Sequence, residues 1–324
     1  FVFTDPVRFL CAERAPELVL AWARHSMARP LQAVLEEARV DAVVAHGLFP
    51  WSGLLGHVAG KNGIPVGVIE HSAADIFRLR TDNRLRRVYS KRAKELDVLM
   101  AVGPGMVECL RDELGLPRAR LIVNGVDTRF NTPTSARPES WRGRFVVLCA
   151  ANYYRRKGIE ELLTAFRHLA ARHPRAMLCV VSSLPADVVD DVGDLVDSGH
   201  VVVERPMDPV TLRGLMAAAD VFAMPSWDEA FGLVYSESLS VGTPVIFSSD
   251  SGFYQYLMAA GVSVGQVGWC VEPRNTSRLV EALLAAHDQL SNGGESVSTV
   301  GPQLVSQHFS WTANAQALLD ALLD

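Results

Sequence analysis

Two carboxylates eight residues apart, Glu229 and Glu237, flank a Phe-Gly in the stretch WDEAFGLVYSE at 227–237. The apolar run VFAMPS (221–226) before it reads as a buried strand, so a loop over 226–232 hands over to a helix starting near Leu233. Glu229 then belongs to the loop, and Glu237 lies about one turn into the helix. A helix N-terminus offers unbonded N–H groups and the positive end of the macrodipole, and both favour an anion. Gly232 permits close approach of the backbone to a ligand. Backbone donors for phosphate or hydroxyl oxygens, with two carboxylates that accept from hydroxyl groups, suit a diphosphate flanked by two polyols. That is the chemistry of a sugar nucleotide. A helix-terminal charge and an ordinary surface Glu explain this stretch alone about equally well.

A second constellation is NYYRRKG (152–158), where Arg155, Arg156 and Lys157 follow a strand-like run and precede Gly158 and a helical pattern. Cations at a strand end can neutralise a diphosphate leaving group, although basic residues in such loops are also common without that role. His71 ends the apolar run PVGVIEHS and His46 ends DAVVAHG. Each is either a site residue or a hydrogen-bonded structural histidine, with the stronger claim for His71. The other histidines have no metal-ligand spacing and H-E-x-x-H is absent. No G-x-x-x-x-G-K-[ST], G-x-G-x-x-G or D-x-D occurs. The acidic series Asp187, Asp190, Asp191 and Asp194 reads as a solvated helix face.

These residues must be positioned by α/β domains. Short apolar runs alternate with helix-length amphipathic segments, the signature of parallel sheets covered on both faces. Strands are expected at 1–3, 41–47, 65–72, 97–103 and 120–125, with a long helix or a helix pair broken near Pro30 over 15–38. Residues 127–143, rich in Pro, Ser, Thr and Arg, read as an interdomain connection. A second series follows, with strands at 144–151, 176–183, 200–204, 221–226, 244–249 and 269–273. Helices are expected at 158–171, 209–219 and 276–290. A length of 324 residues agrees with two domains, and a net charge of −5 gives no general reason to expect nucleic acid. Residues 78–94 nevertheless form a basic cluster from Arg78 to Lys94, either the solvated face of a helix or a patch for an anionic lipid or acceptor. Five scattered cysteines without C-x-x-C spacing suggest reduced thiols and a cytoplasmic setting, with peripheral contact to the membrane face through the basic cluster. No apolar run approaches the roughly 18 residues of a spanning helix.

In order along the chain, DAVVAHG, IPVGVIEHS, RLIVNGVDTRF, Lys157-Gly158, PSWDEAFGLVYSESLSVGTPVI and HFSWTANAQALL resemble the motifs of the retaining glycosyltransferases of family 4. The fifth matches that family's E-x7-E signature. The resemblance implies a GT-B fold, with two Rossmann-like domains facing a central cleft and a C-terminal helix crossing back to the first domain. It implies an acceptor-side domain at 1–135, a donor-binding domain at 136–305 and the returning helix at 306–324. A first β-α-β unit of about 45 residues, bearing a Gly-rich loop, is expected before Phe1. The implied reaction moves a hexose-type sugar from a nucleoside-diphosphate sugar to a hydroxyl acceptor (a glycan, a lipid-linked sugar or a small molecule), with retention and no metal or other cofactor. By the same resemblance Glu229 contacts the transferred sugar, and Lys157 binds the diphosphate. The amides of Phe231, Gly232, Leu233 and Val234 serve the sugar hydroxyls or distal phosphate, Glu237 holds the ribose, and His71 lines the acceptor side. Asn152 stands where the family has an Arg, so Arg155 or Arg156 is the cation expected to substitute. Ser251-Gly252-Phe253-Tyr254-Gln255 stands where the family has G-G-x-x-E. Two alternatives stay open: a catalytically degenerate glycosyltransferase-like binding subunit, and a sugar-nucleotide epimerase or hydrolase on the same fold.

Overall fold

Runs of Val, Ile, Leu and Ala bounded by polar turns become parallel strands in both halves of the chain, most of them buried. The computed structural model describes residues 16–47, 51–72, 79–127, 137–292 and 300–323. Two units result, one from residues up to Val123 together with Asn314–Asp324, the other from Asn124–Ala313. The strand expected at 1–3 lies outside the described residues.

The first unit runs α1 (Pro16–Glu37), β1 (Val43–His46), α2 (Trp51–Lys61), β2 (Val66–Glu70), α3 (Asn83–Ala93), β3 (Val98–Ala101), α4 (Pro104–Asp112) and β4 (Arg120–Leu121). Its four strands are parallel in the order β1-β2-β3-β4. The helix α1 continues through Pro30, which forgoes one ladder bond there. The strand expected over 120–125 is only two residues long. The chain leaves the sheet beyond it, and at Gly125 the backbone lies so close to Trp311 that a Cβ would meet the indole at 2.8 Å. Of the basic cluster, Arg78 lies outside the described residues. Arg80 and Arg86 both reach Glu113, at 3.1 and 3.5 Å, while Arg84, Arg87, Lys91 and Lys94 are exposed.

The second unit contains β5 (Phe145–Ala150), α5 (Ile159–Arg172), β6 (Ala176–Val181), α6 (Ala186–Asp190), α7 (Gly193–Asp197), β7 (Val201–Glu204), α8 (Pro209–Ala218), β8 (Val221–Met224), α9 (Leu233–Ser240), β9 (Val245–Ser248), α10 (Gly252–Ala259), β10 (Gly268–Val271), α11 (Thr276–Ser291) and α12 (Val300–His308). The acidic face expected over 187–194 is divided between two short helices, because Val188, Val192 and Leu195 turn into the core. Part of the expected connection at 127–143 also packs into this unit. Trp141 is buried, and Arg137 donates to the carbonyls of Trp141, Ala218 and Arg144 and to the Asp220 carboxylate.

The six strands are parallel in the order β10-β9-β8-β5-β6-β7, so the chain starts in mid-sheet and reverses direction between β5 and β8. In an open α/β sheet this switch point leaves a crevice beyond the carboxyl ends of the two central strands. The core combines β5, β6 and β8 with the inner faces of α5 and α11. Burial pushes the thiols of Cys149 and Cys179 up to about 12, which makes them packing groups rather than nucleophiles.

The last helix, α13 (Trp311–Leu323), belongs to the first unit from Asn314 onward. The Asn314 amide donates to the carbonyl of Val123 at 2.6 Å. Gly67 in β2 leaves room for Leu322, since a Cβ there would come within 2.8 Å of it. No helix among the described residues is long and apolar enough to cross a membrane.

Candidate active site

Lys157 leaves a 3₁₀ turn (Arg155–Lys157) in the loop after β5, and Glu229 stands in the loop after β8. Those are the two strands of the switch point. The Lys157 ammonium donates to the Glu229 carboxylate, and their side chains are only 16% and 13% exposed. A pair so shielded from water interacts far more strongly than a surface ion pair. The loops are also tied by backbone, as the Trp227 N–H donates to the Arg156 carbonyl at 2.7 Å. Gly158 makes this approach feasible: its φ is +72°, and a Cβ would overlap the Pro225 carbonyl.

The loop bearing Glu229 is held from its other side. The Glu229 N–H donates to the Asp250 carbonyl at 3.2 Å, and the carbonyls of Glu229 and Phe231 accept from Gly252 and Phe253 at 2.9 Å each. The departure at 251–255 thus has a local use. Ser251 accepts from the Tyr254 N–H and caps α10, and its own hydroxyl donates to Ser248. Gln255, where the family pattern has an acid, is exposed on that helix.

Phe231 places the loop through its side chain. It is 1% exposed, edge-on to Phe253 and Phe309 at ring separations of 6.3 and 5.4 Å, so its contribution to a ligand is limited to backbone. Gly232 next to it has φ +94° and precedes the first residue of α9, and no side chain caps that end. The first-turn amides of Leu233 and Val234 have no carbonyl one turn earlier within the helix. Tyr235 is fully buried, its hydroxyl donating to the Met224 carbonyl at 2.7 Å, and its ring occupies the space a side chain at Gly232 would need.

Glu237 is the fifth residue of α9 and is partly buried. Burial raises its pKa above the usual carboxylate value, opposed by the positive charge of Arg213. Arg156 pairs with Asp228 at 2.8 Å, and Arg155 lies 3.8 Å from Glu160. Asn152 is exposed in the same loop. Sequence reasoning missed Trp227, whose ring carries the Arg274 guanidinium at 3.9 Å and whose indole N–H donates to Glu161 at 3.1 Å. The stack joins the loops after β8 and β10, and an aromatic at a strand end was its one visible signal.

His71 is in the first unit. β1 and β2 are neighbours with His46 opposite Ile69, so both strands deliver a histidine to the same sheet edge. His46 Nδ1 and His71 Nε2 are 2.8 Å apart and share one N–H. Burial, then the charge of His46, lowers the pKa of His71, which therefore stays neutral at pH 7. Just before it, the buried Glu70 carboxylate accepts from the amides of His71 and Ser72 at 2.8 Å.

Comparison with known proteins bears on the family and the fold. The family model "Family 4 Glycosyltransferase in conflict systems" matches residues 70–318, and "Glycosyltransferase Family 4" matches residues 7–130. The chain is 26% identical to a D-inositol 3-phosphate glycosyltransferase from Arthrobacter sp. (strain FB24), over 99% of this chain and 78% of the relative. Among solved structures, sucrose-phosphate synthase from Thermosynechococcus elongatus superposes with a TM-score of 0.68 at 21% identity, covering 90% of this chain and 75% of the other. Anabaena HepE, solved with UDP and glucose, gives 0.70 at 18% identity, covering 96% and 82%. The two parallel α/β units and these likenesses give the fold as GT-B.

Proposed function

The chain belongs to glycosyltransferase family 4, and we propose that it is a retaining, metal-independent enzyme moving a hexose-type sugar from a nucleoside diphosphate to a hydroxyl acceptor. The observation that carries this reading is the Lys157–Glu229 pair at the switch point, beside the uncapped N-terminus of α9. A sugar diphosphate entering there exchanges the partners. The ammonium turns to phosphate oxygens, and the carboxylate turns to sugar hydroxyls. HepE, solved with UDP and glucose, is a neighbour in fold whose ligands have this chemistry.

In the proposed reaction the acceptor oxygen bonds to the anomeric carbon as the bond from that carbon to the phosphate oxygen breaks on the same face. The acceptor proton passes to the departing phosphate oxygen, and no protein nucleophile takes part. Lys157, an arginine of the 3₁₀ turn and the amides of Phe231, Gly232, Leu233 and Val234 then stabilise negative charge on the leaving group. Glu237 holds the ribose hydroxyls, and a neutral His71 serves the acceptor side.

A thermal-shift panel of UDP-, GDP- and ADP-sugars tests the donor site, with at least one expected to raise Tm and with EDTA leaving its affinity unchanged. A flat panel would remove the donor-site reading. Retention is read from the anomeric proton coupling of the product.

Nucleotide affinity is also expected to depend on pH through Glu237. Hydroxyl donors favour its charged form, so binding lowers a pKa that burial has raised. Protons are released on binding, and affinity climbs as pH rises toward the raised pKa, levelling above it. Glu237→Gln should flatten the profile across the acid range. An unchanged slope in that variant would separate Glu237 from the ribose.

The exposed basic residues of α3 and its flank, Arg84, Arg87, Lys91 and Lys94, are proposed to meet an anionic membrane surface. Reversing all four to Glu should abolish co-sedimentation with phosphatidylserine vesicles at low salt. Equal sedimentation of both proteins would exclude this contact.

A further inference from the structure

We propose that His173, His287 and Asp288 form a binding site for one divalent transition metal ion of the zinc class, a staple between α5 and α11 that lies apart from the transfer chemistry. Among the described residues this is the group of three His, Cys, Asp or Glu whose ligand atoms converge, one from each lying within 4.8 Å of the others. The two histidine rings are 3.6 Å apart between centroids, tilted by 33°. His287 Nδ1 and Asp288 Oδ1 are 3.2 Å apart.

The scaffold fixes the backbone of two of the three ligands. His173 ends α5, its N–H donating to Leu169 at 2.8 Å and its carbonyl accepting from Ala176 at 2.8 Å. His287 projects from the C-terminal half of α11, 17% exposed and edge-on to Phe145 at 5.0 Å. Leu169 and Ala170 of α5 share a core with Leu283 and Ala286 of α11, so the rings are brought together by packing and not by their own attraction. Asp288 is 67% exposed and meets His287 from the surface. Tetrahedral ligands at bonds of about 2.1 Å sit roughly 3.4 Å from each other. Closure therefore needs a contraction of about 1.5 Å, which rotation of the Asp288 and His173 side chains supplies.

Two imidazoles and one carboxylate select for zinc, cobalt, nickel or copper. Calcium and magnesium demand more oxygen. A fourth position is left for water. Phe145 begins β5 and His173 leads into β6, so the cluster lies at the amino ends of the strands, whereas Lys157 and Glu229 follow the carboxyl ends. An ion there would hold the core helices together and leave the donor crevice untouched. Arg172 is the cation beside the site, but it is exposed and water screens its repulsion.

The test is titration of the EDTA-treated full chain with Zn²⁺, followed by calorimetry and Tm, and with Co²⁺, followed by visible absorption. One Zn²⁺ per chain, a rise in Tm and a Co²⁺ spectrum displaced by Zn²⁺ are expected. Asp288→Asn, on the surface, should fold normally and weaken binding about tenfold or more, and His173→Asn should abolish it. No binding by the original protein in the micromolar range would overturn the proposal. So would an unchanged stoichiometry and affinity in Asp288→Asn, whether or not His173→Asn folds. The readout is metal affinity, so failure here leaves the donor-site reading intact.

Discussion

Lys157→Ala is expected to reduce kcat by about 10²–10³, the usual effect of removing one preorganised group that stabilises a developing negative charge. The same change should lower stability by about 2 kcal/mol, because the Glu229 carboxylate is left shielded from water without its cation. This is below the range for wholly buried pairs, since some water reaches both side chains. The two effects separate in a double mutant. Adding Glu229→Gln removes the stranded charge and should return most of the lost stability in a denaturant titration, while the transfer rate stays low. If the double mutant recovered rate along with stability, the pair would be a structural strut and the leaving-group role of Lys157 would fall.

Gly232→Ala is expected to lose about 100-fold in rate together with roughly 3 kcal/mol of stability. The left-handed φ of +94° costs an L-residue about 1–2 kcal/mol. The added methyl meets the ring of Tyr235, which cannot retreat because its hydroxyl is anchored on Met224 and its body is enclosed by Phe247 and Phe253. The loop must yield, moving the amides of 231–234 and the carboxylate of Glu229 together. Steady-state kinetics with chemical denaturation check this, and near-original activity would mean those amides do not bind the donor.

Much of the second unit was legible because each strand is a short apolar run ended by turn residues. All six strands expected there exist within two residues of their expected ends, and α5, α8 and α11 fall where their periodicity puts them. The failures have local causes. The strand expected at 120–125 stops at Leu121 because an apolar stretch need not pair once the chain must turn toward Trp311. The acidic series at 187–194 was read by its charges, and Val188, Val192 and Leu195 determined its shape. Phe231 was chosen for its amide, but its ring proves to be the anchor that places the amide.

What the sequence determined by itself was the local chemistry: parallel-sheet periodicity, Gly232 at a helix start, and a carboxylate on either side of it. Those signals are short-range, carried by residues within a turn or a loop of one another. The tertiary structure decided which distant groups meet. The strand order sets β5 against β8, and this brings Lys157 to Glu229 across 72 positions of chain. Adjacent strand ends bring His46 to His71, and the packing of α5 on α11 brings His173 to His287. No spacing along the chain encodes those meetings, because the burial of apolar faces that drives them is non-directional and its outcome is set by the whole sheet.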